Sequence, residues 1–289
     1  MKNFINAIVF IFISIYGFSQ STDVLRLEYT TLPEGTSEVR TSRYRFLANV
    51  PIKLDDDKFL VAGGEYSFID FDSELIFPFD DSEIERFKVI DFNLGYIFRW
   101  NPSWLFAAVA TPRWASNFTG KAINEDLKLN FAAFMIKENK DAEKPTRLIL
   151  GLTYNSATGF PIPLPLINYY KKFHPNWSYT LGVPRMDLKY HIKDKHTFKT
   201  ALLLDGYFVN VQNNVVLPDN DLGSGLSLSV VVGALGYQYN LGKNVSLYTL
   251  MGHTLSQSGI LRDDKRKKVF SLYKEGNVYF RTGFKIGIF

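Results

Sequence analysis

The chain has 289 residues, with 33 Lys and Arg against 29 Asp and Glu, four His and no Cys. That near balance of charge argues against a nucleic-acid partner, and the lack of Cys excludes disulfides, thiolate metal sites and a cysteine nucleophile. The 25 Phe, 16 Tyr and 4 Trp form an aromatic load that fits membrane-interface girdles better than an ordinary soluble core.

Met1 to Gln20 carries one early charge at Lys2, an apolar stretch from Ala7 to Tyr16 and small residues at Gly17 and Ser19. This is the layout of a cleavable export signal, too short and too weakly flanked for a retained membrane helix. We place cleavage after Ser19, so that 1–19 is a signal peptide and 20–289 a single outer-membrane β-barrel domain. Its removal takes away one Lys and no acid, leaving 32 basic and 29 acidic residues and a net charge of +3. The remainder shows no linker, low-complexity tract or 20–50-residue repeat.

Period-two patterning then gives about twelve strands, with a range of 10–14. The fold class is all-β, an antiparallel transmembrane β-barrel. In lipid every backbone N–H and C=O must find a partner within the protein, which such alternation meets by closing into a barrel. Gaps fall at 32–38, 55–58, 72–86, 101–103, 116–126, 138–145, 159–175, 193–195, 211–223, 241–244 and 257–275. Every second one is short, except that 138–145 is longer than its class, and the intervening ones are mostly long. Short periplasmic turns, long external loops and an even strand count leave both termini in the periplasm.

Facing follows from the alternation. In 39–54 Tyr44, Phe46, Ala48, Val50, Ile52 and Leu54 point outward, and Arg43, Arg45 and Asn49 point into the lumen. In 87–100 the outward set is Ile90, Phe92, Leu94, Tyr96, Phe98 and Trp100, with Asp91, Asn93 and Arg99 inward. Trp104 and Trp114 share parity ten residues apart, a climb of roughly 26 Å on a tilted strand, the height of an outer-membrane apolar band. Trp100 and Trp104 flank the Asn101-Pro102-Ser103 turn and are assigned to the periplasmic girdle, Trp114 to the outer one. Pro112 and Pro184 each remove a ladder hydrogen bond, so a bulge or strand end is expected at both.

The segment Gly159-Phe160-Pro161-Ile162-Pro163-Leu164-Pro165 reads as polyproline-like rather than as a barrel strand. With Phe160, Pro161, Pro163 and Pro165 it is either a lid over the mouth or a stiff rim loop, and the rim loop is the plainer reading. In 185–192 Met186, Leu188, Tyr190 and Ile192 alternate with Arg185, Asp187, Lys189 and His191. The runs Leu202-Leu203-Leu204 and Val230-Val231-Val232 are apolar on both faces, so part of the lumen is expected to be packed with apolar side chains. The last strand, from Val278, puts Phe289 in register with inward Lys285, Arg281 and Tyr279, one step out of phase with outward Ile288.

Inward charges are the first candidates for function. They are Arg43, Arg45, Arg99, Arg113, Arg185, Lys189, Arg281 and Lys285, with Arg26, Arg147 and Lys199, against Glu65, Asp91, Asp187, Asp205 and Glu28. The excess is basic, which fits a narrow anion-preferring channel, but dry charges must pair and a salt-bridged plug is favoured. Histidine is the second candidate. His174, His191, His196 and His253 are scattered, and Ser256 lies three positions from His253, on the opposite strand face, so no catalytic pair is assigned. No metal-ligand cluster, phosphate loop or nucleophile elbow occurs, and no cofactor is assigned.

The Ser19-Gln20 cleavage region, the prolines followed by Tyr169-Tyr170-Lys171-Lys172-Phe173, the Leu181-Gly182-Val183-Pro184 step and the terminal Phe289 resemble an uncharacterised outer-membrane β-barrel family of Bacteroidota-type gram-negative bacteria. The resemblance spans essentially the whole mature chain. It implies a location and a fold and transfers no active site. The leading reading is a non-enzymatic barrel, as a narrow pore, a ligand-binding or a structural envelope protein with a partly plugged lumen. The alternatives are an outer-membrane lipid-modifying enzyme of phospholipase or deacylase type and a secreted soluble β protein. Expected partners are outer-membrane lipid, the barrel-assembly machinery through the terminal strand, and a small solute or amphipathic ligand.

Overall fold

The computed structural model describes residues 23–35, 38–140, 142–158, 162–273 and 276–287. The export signal, Phe160, Pro161 and Phe289 therefore lie outside the described residues. Fifteen strands form one sheet: β1 (Asp23–Leu32), β2 (Val39–Asp55), β3 (Lys58–Ser73), β4 (Arg86–Asn101), β5 (Trp104–Ser116), β6 (Leu127–Asn139), β7 (Thr146–Tyr154), β8 (Pro163–His174), β9 (Trp177–Val183), β10 (Arg185–Ile192), β11 (His196–Val216), β12 (Leu222–Asn240), β13 (Val245–Arg262), β14 (Lys268–Tyr273) and β15 (Val278–Gly287). Successive strands pair antiparallel from β1 to β13, and β15 joins β13 to β1 and closes the ring. Fourteen strands make the barrel, while β14 pairs only with the far part of β13, Gly259–Arg262.

The expected count of about twelve falls short for two reasons. Residues 176–192 form two strands, not one, because Pro184 ends β9 and β10 starts at Arg185. The proline segment is also a wall strand: Tyr154 faces Pro163 and Leu152 faces Pro165. Alternate residues of a strand direct their N–H to the same side, so prolines two apart remove donors from one edge only. Pairing of β8 with β9 begins at Ile167, so that edge of Pro163 and Pro165 meets no strand. The loop read from the sequence at Pro163 and Pro165, whether rim loop or lid, is thereby corrected to a strand. Pro112 causes no bulge either. It faces Leu129 of β6, and the β4 ladder steps from Asp91–Arg113 to Leu94–Ala110 in unchanged register.

The outer surface carries an apolar belt, with Val50 59 %, Leu54 55 %, Leu94 55 % and Phe92 56 % exposed. Tight turns at 56–57, 102–103, 175–176 and 193–195 share one end with Asp23 and Gly287. At the opposite end the wall is uneven. β11, β12 and β13 have 21, 19 and 18 residues, whereas β9 and β10 have 7 and 8. The long strands lean across this gap, and β11 forms a parallel bridge to β5 at Asn210 and Ser116. Asp126, with no exposed surface, locks the seam: it accepts hydrogen bonds from Asn210 Nδ2 (2.8 Å), Gln212 Nε2 (2.8 Å) and Ile123 N (2.9 Å).

Behind the seam the inward faces of the extended strands bury an apolar core. Val39, Ile69, Phe87, Val209, Val215, Val232 and Leu261 are almost fully covered, joined by Ile84 from the 74–85 connection. Phe71 stacks on Tyr273 of β14 at 6.2 Å, and Phe77 and Phe79 pack against Phe270. This dry cap closes the end of the barrel opposite the tight turns. Asp126→Ala strips acceptors from buried amides at the seam and is expected to cost about 3 kcal/mol. Urea unfolding midpoints and amide exchange at Ser116 and Asn117 measure the loss, and an unchanged seam would show that the bridge is held by other contacts.

Candidate functional site

Beneath the cap lies a belt of paired charges. Asp205 of β11 accepts from Arg43 of β2 (2.9 Å), from Tyr279 Oη (2.8 Å) and from Arg281, the last two on β15. Arg45 reaches Glu65 (2.8 Å) and Glu28 (3.2 Å), and Glu28 also accepts from Tyr248 Oη (2.6 Å). Arg113 holds Asp91 with two hydrogen bonds of 2.7 and 2.6 Å. Four arginines thus meet four carboxylates, a neutral set spanning the lumen from β11 to the β15–β1–β5 wall. Arg43 and Asp91 are only 6 % and 5 % exposed, a depth at which an unpaired charge is strongly unfavourable.

Below the belt, toward the tight turns, is a cavity of about 440 Å³. Its basic lining is Arg26, Arg185, Lys189, Lys199, Lys243, Arg281 and Lys285, against Glu28 and Asp187. Glu28 and Arg281 belong to the neutral belt. Arg26 pairs with Asp23, and Asp187 is shared between Arg185 (2.6 Å) and Lys189 (3.4 Å). Among the described residues Lys199 and Lys285 form no ion pair with any carboxylate. The walls of this vestibule therefore carry uncompensated positive charge.

Register makes that excess sharper. Lys189 sits directly opposite Lys199 across β10 and β11, and Arg26 directly opposite Lys285 across β1 and β15. Like charges facing one another in a ladder are destabilising. The two walls meet at Tyr248, whose ring centroid lies 5.7 Å from Lys199 Nζ and 5.8 Å from Lys285 Nζ. Two glycines make room: a Cβ on Gly236 would come within 2.6 Å of Lys199 Cε, and one on Gly283 within 2.6 Å of Tyr248 Oη.

A serine and a histidine also meet at the vestibule wall. Ser178 Oγ is 2.9 Å from His191 Nε2, and His191 Nδ1 is 3.1 Å from Thr197 Oγ1. Ser178 has no exposed surface, and the third partner is a hydroxyl rather than a carboxylate. These hydrogen bonds fix the imidazole against the wall.

The sequence-assigned lumen charges thus sort into three places. Arg43, Arg45, Glu65, Asp91, Arg113, Asp205 and Arg281 lie in the belt, and Arg185, Asp187, Lys189 and Lys285 in the vestibule. Arg99 stands apart at the tight-turn rim, where it is 44 % exposed and pairs with Asp57. Trp100 is exposed and Trp104 half-buried at the same end, with Lys137 Nζ 5.7 Å from the Trp104 ring. Trp114 packs edge-on against Phe92 at 5.8 Å. Sequence reasoning missed Tyr248 and Lys243. The pairing of Tyr248 with Gly283 and of Lys199 with Gly236 was the available signal, since an inward glycine marks a bulky neighbour.

The family model for "Domain of unknown function (DUF6268)" matches residues 35–287. No curated protein matches the chain. Among solved structures it is similar to the KdgM porin in complex with disordered oligogalacturonate, with 9 % identity, 91 % of this chain and 98 % of that one covered, and a TM-score of 0.37. LpxR from Salmonella typhimurium gives 7 % identity, 91 % and 99 % coverage and a TM-score of 0.39. The Pseudomonas putida toluene transporter TodX gives 9 %, 91 % and 88 %, and 0.33.

Asp205→Ala would leave Arg43 and Arg281 buried without their shared partner, an expected loss of about 3–5 kcal/mol. The midpoint of urea unfolding in lipid vesicles reads it. Asp56→Ala, which removes only the exposed partner of Lys53 at a turn, should leave that midpoint where it is.

Proposed function

The chain belongs to the Domain of unknown function (DUF6268) family, whose description assigns no activity, and we propose that it is a non-conducting outer-membrane barrel that binds anionic solutes from the periplasm. The outer belt supports the membrane placement. Side chains such as Val50, Phe92 and Leu94 lie open all round the wall, and an apolar surface of that extent is stable against hydrocarbon rather than water. Tight turns belong to the periplasmic side in such barrels, which directs Asp23, Gly287 and the mouth of the vestibule there.

The observation that carries the reading is the division of charge. The belt is internally neutral, whereas the vestibule keeps Lys199 and Lys285 without carboxylate partners among the described residues. Confined cations of one sign attract anions and concentrate them. The dry cap and the belt block passage, so an anion that enters leaves by the same mouth. A non-enzymatic role accords with the inaccessible Ser178 and with a His191 held between two hydroxyls. Lipid contacts the apolar outer surface, and the terminal strand β15 is the element offered to the assembly machinery.

In planar bilayers the purified protein should give no unitary current steps in concentrated KCl. Calorimetric titration of the folded protein with glutamate, gluconate and glucose 6-phosphate should detect binding of at least one, weakening as salt rises. Steady channel currents, or no binding by any of the three, would overturn the proposal.

A further inference from the structure

Resting on the vestibule reading, we propose that the bound anion is a phosphate monoester of a polyol, its phosphate lying among Lys199, Lys285 and Lys189 beside Tyr248. Charge is the first argument. Once Arg26 is answered by Asp23, and Asp187 has neutralised one of Arg185 and Lys189, four positive charges remain around the cavity: Lys199, Lys285, Lys243 and the other of that pair. All four of Arg185, Lys189, Lys199 and Lys285 lie within electrostatic reach of one another. A carboxylate brings one negative charge; a phosphate monoester brings about 1.5 to 2 at neutral pH, with three acceptor oxygens.

The second argument is the sorting of cation types. In the belt, arginines grip planar carboxylates at both oxygens, Arg113 with a two-nitrogen fork on Asp91 and Arg43 with one terminal nitrogen on Asp205. The uncommitted cations of the vestibule are lysines, compact ammonium charges that reach a tetrahedral oxyanion from separate directions. Lys199 is only 8 % exposed and, among the described residues, lines the cavity with the Tyr248 ring beside it but no ion pair, and the Lys189–Lys199 opposition persists in the ladder although a neutral residue would relieve it. An anion seated there removes both costs.

The third argument is the neutral lining. Asn168, Thr180, Thr197, Gln238, Asn240 and Ser246 surround the same cavity, amides and hydroxyls suited to the hydroxyls of a polyol. Apolar lining is confined to Val245, Leu250 and the Tyr248 ring, so the body of the ligand is hydrophilic. The volume of about 440 Å³ accommodates a hexose- or glycerol-sized ester.

Titration of the full-length folded protein with glucose 6-phosphate, glycerol 3-phosphate and gluconate tests the assignment. A phosphate ester is expected to bind on the order of tenfold or more tighter than gluconate. Lys199→Gln and Lys285→Gln should each weaken the ester by about tenfold. Unchanged heat-modifiable migration on gels shows that the variants are folded. Dihexanoyl phosphatidate in the same titration separates the two sources of this chemistry. Tighter binding of the free ester marks a soluble ligand, tighter binding of the phosphatidate a lipid headgroup, and either supports the phosphate site. Gluconate binding as well as the esters overturns the phosphate assignment and leaves the anion vestibule standing. Binding by none of the four overturns both.

Discussion

Asp205 is the point at which the two halves of the interior are joined. It projects from β11, receives Arg43 from β2 and both Tyr279 and Arg281 from β15, and so ties one wall of the barrel to the other across the lumen. A carboxylate at that depth is tolerable only with such partners, and two arginines at that depth only with such a carboxylate. The condition is mutual, and it fixes where the dry interior ends. Above the belt, Val209, Leu228 and Val230 pack as in a soluble core, and the charge buried at the seam, Asp126, is satisfied by hydrogen bonds. Below it water and solute have a mouth to enter.

The uneven height of the wall follows from that division. A cap needs inward apolar faces, and β11 to β13 supply them by running on past the point where β10 has ended. Extending those strands leaves an edge of β11 without its neighbour, and backbone groups there must be satisfied. The parallel bridge to β5 and the hydrogen bonds to Asp126 answer that need. On the other side of the gap, Pro163 and Pro165 leave no donors on the β8 edge that β9 does not reach. Prolines that look incompatible with a strand are compatible with this one because its wall is incomplete.

Much of the barrel was legible in the chain. The alternation in 39–54 placed Arg43 and Asn49 inward and Val50 and Leu54 outward, and the structure has the first two buried and the last two exposed. The short gaps marked the tight-turn end, and the runs at 202–204 and 230–232 announced an apolar interior that Leu203, Val230 and Val232 form. The count of strands was not legible, since a period-two reading treats proline as punctuation and cannot see whether the neighbouring strand stops short. Nor was the sorting of charges. Parity says that Arg99 and Arg185 face the same way, but only the height along each strand puts Arg99 at the rim with Asp57 and Arg185 in the cavity. The partnership of Asp205 with Arg43, 162 residues away, depends on the closure of the whole ring.

The contrast between belt and vestibule is therefore chemical as well as spatial. A barrel that needed only a plug could have continued the pattern of matched pairs down to the tight turns, or filled the space with neutral side chains. Instead the register sets Lys189 against Lys199 and Arg26 against Lys285 on walls that share one cavity, and Gly236 and Gly283 give up volume so that Lys199 and Tyr248 fit there. Each of these is a local cost, whereas the charges of the belt are answered by one another. Such costs fall together where a structure is shaped for something besides its own stability. The repulsion is concentrated on the one face of the belt that opens outward, which is where an anion from outside the protein can answer it.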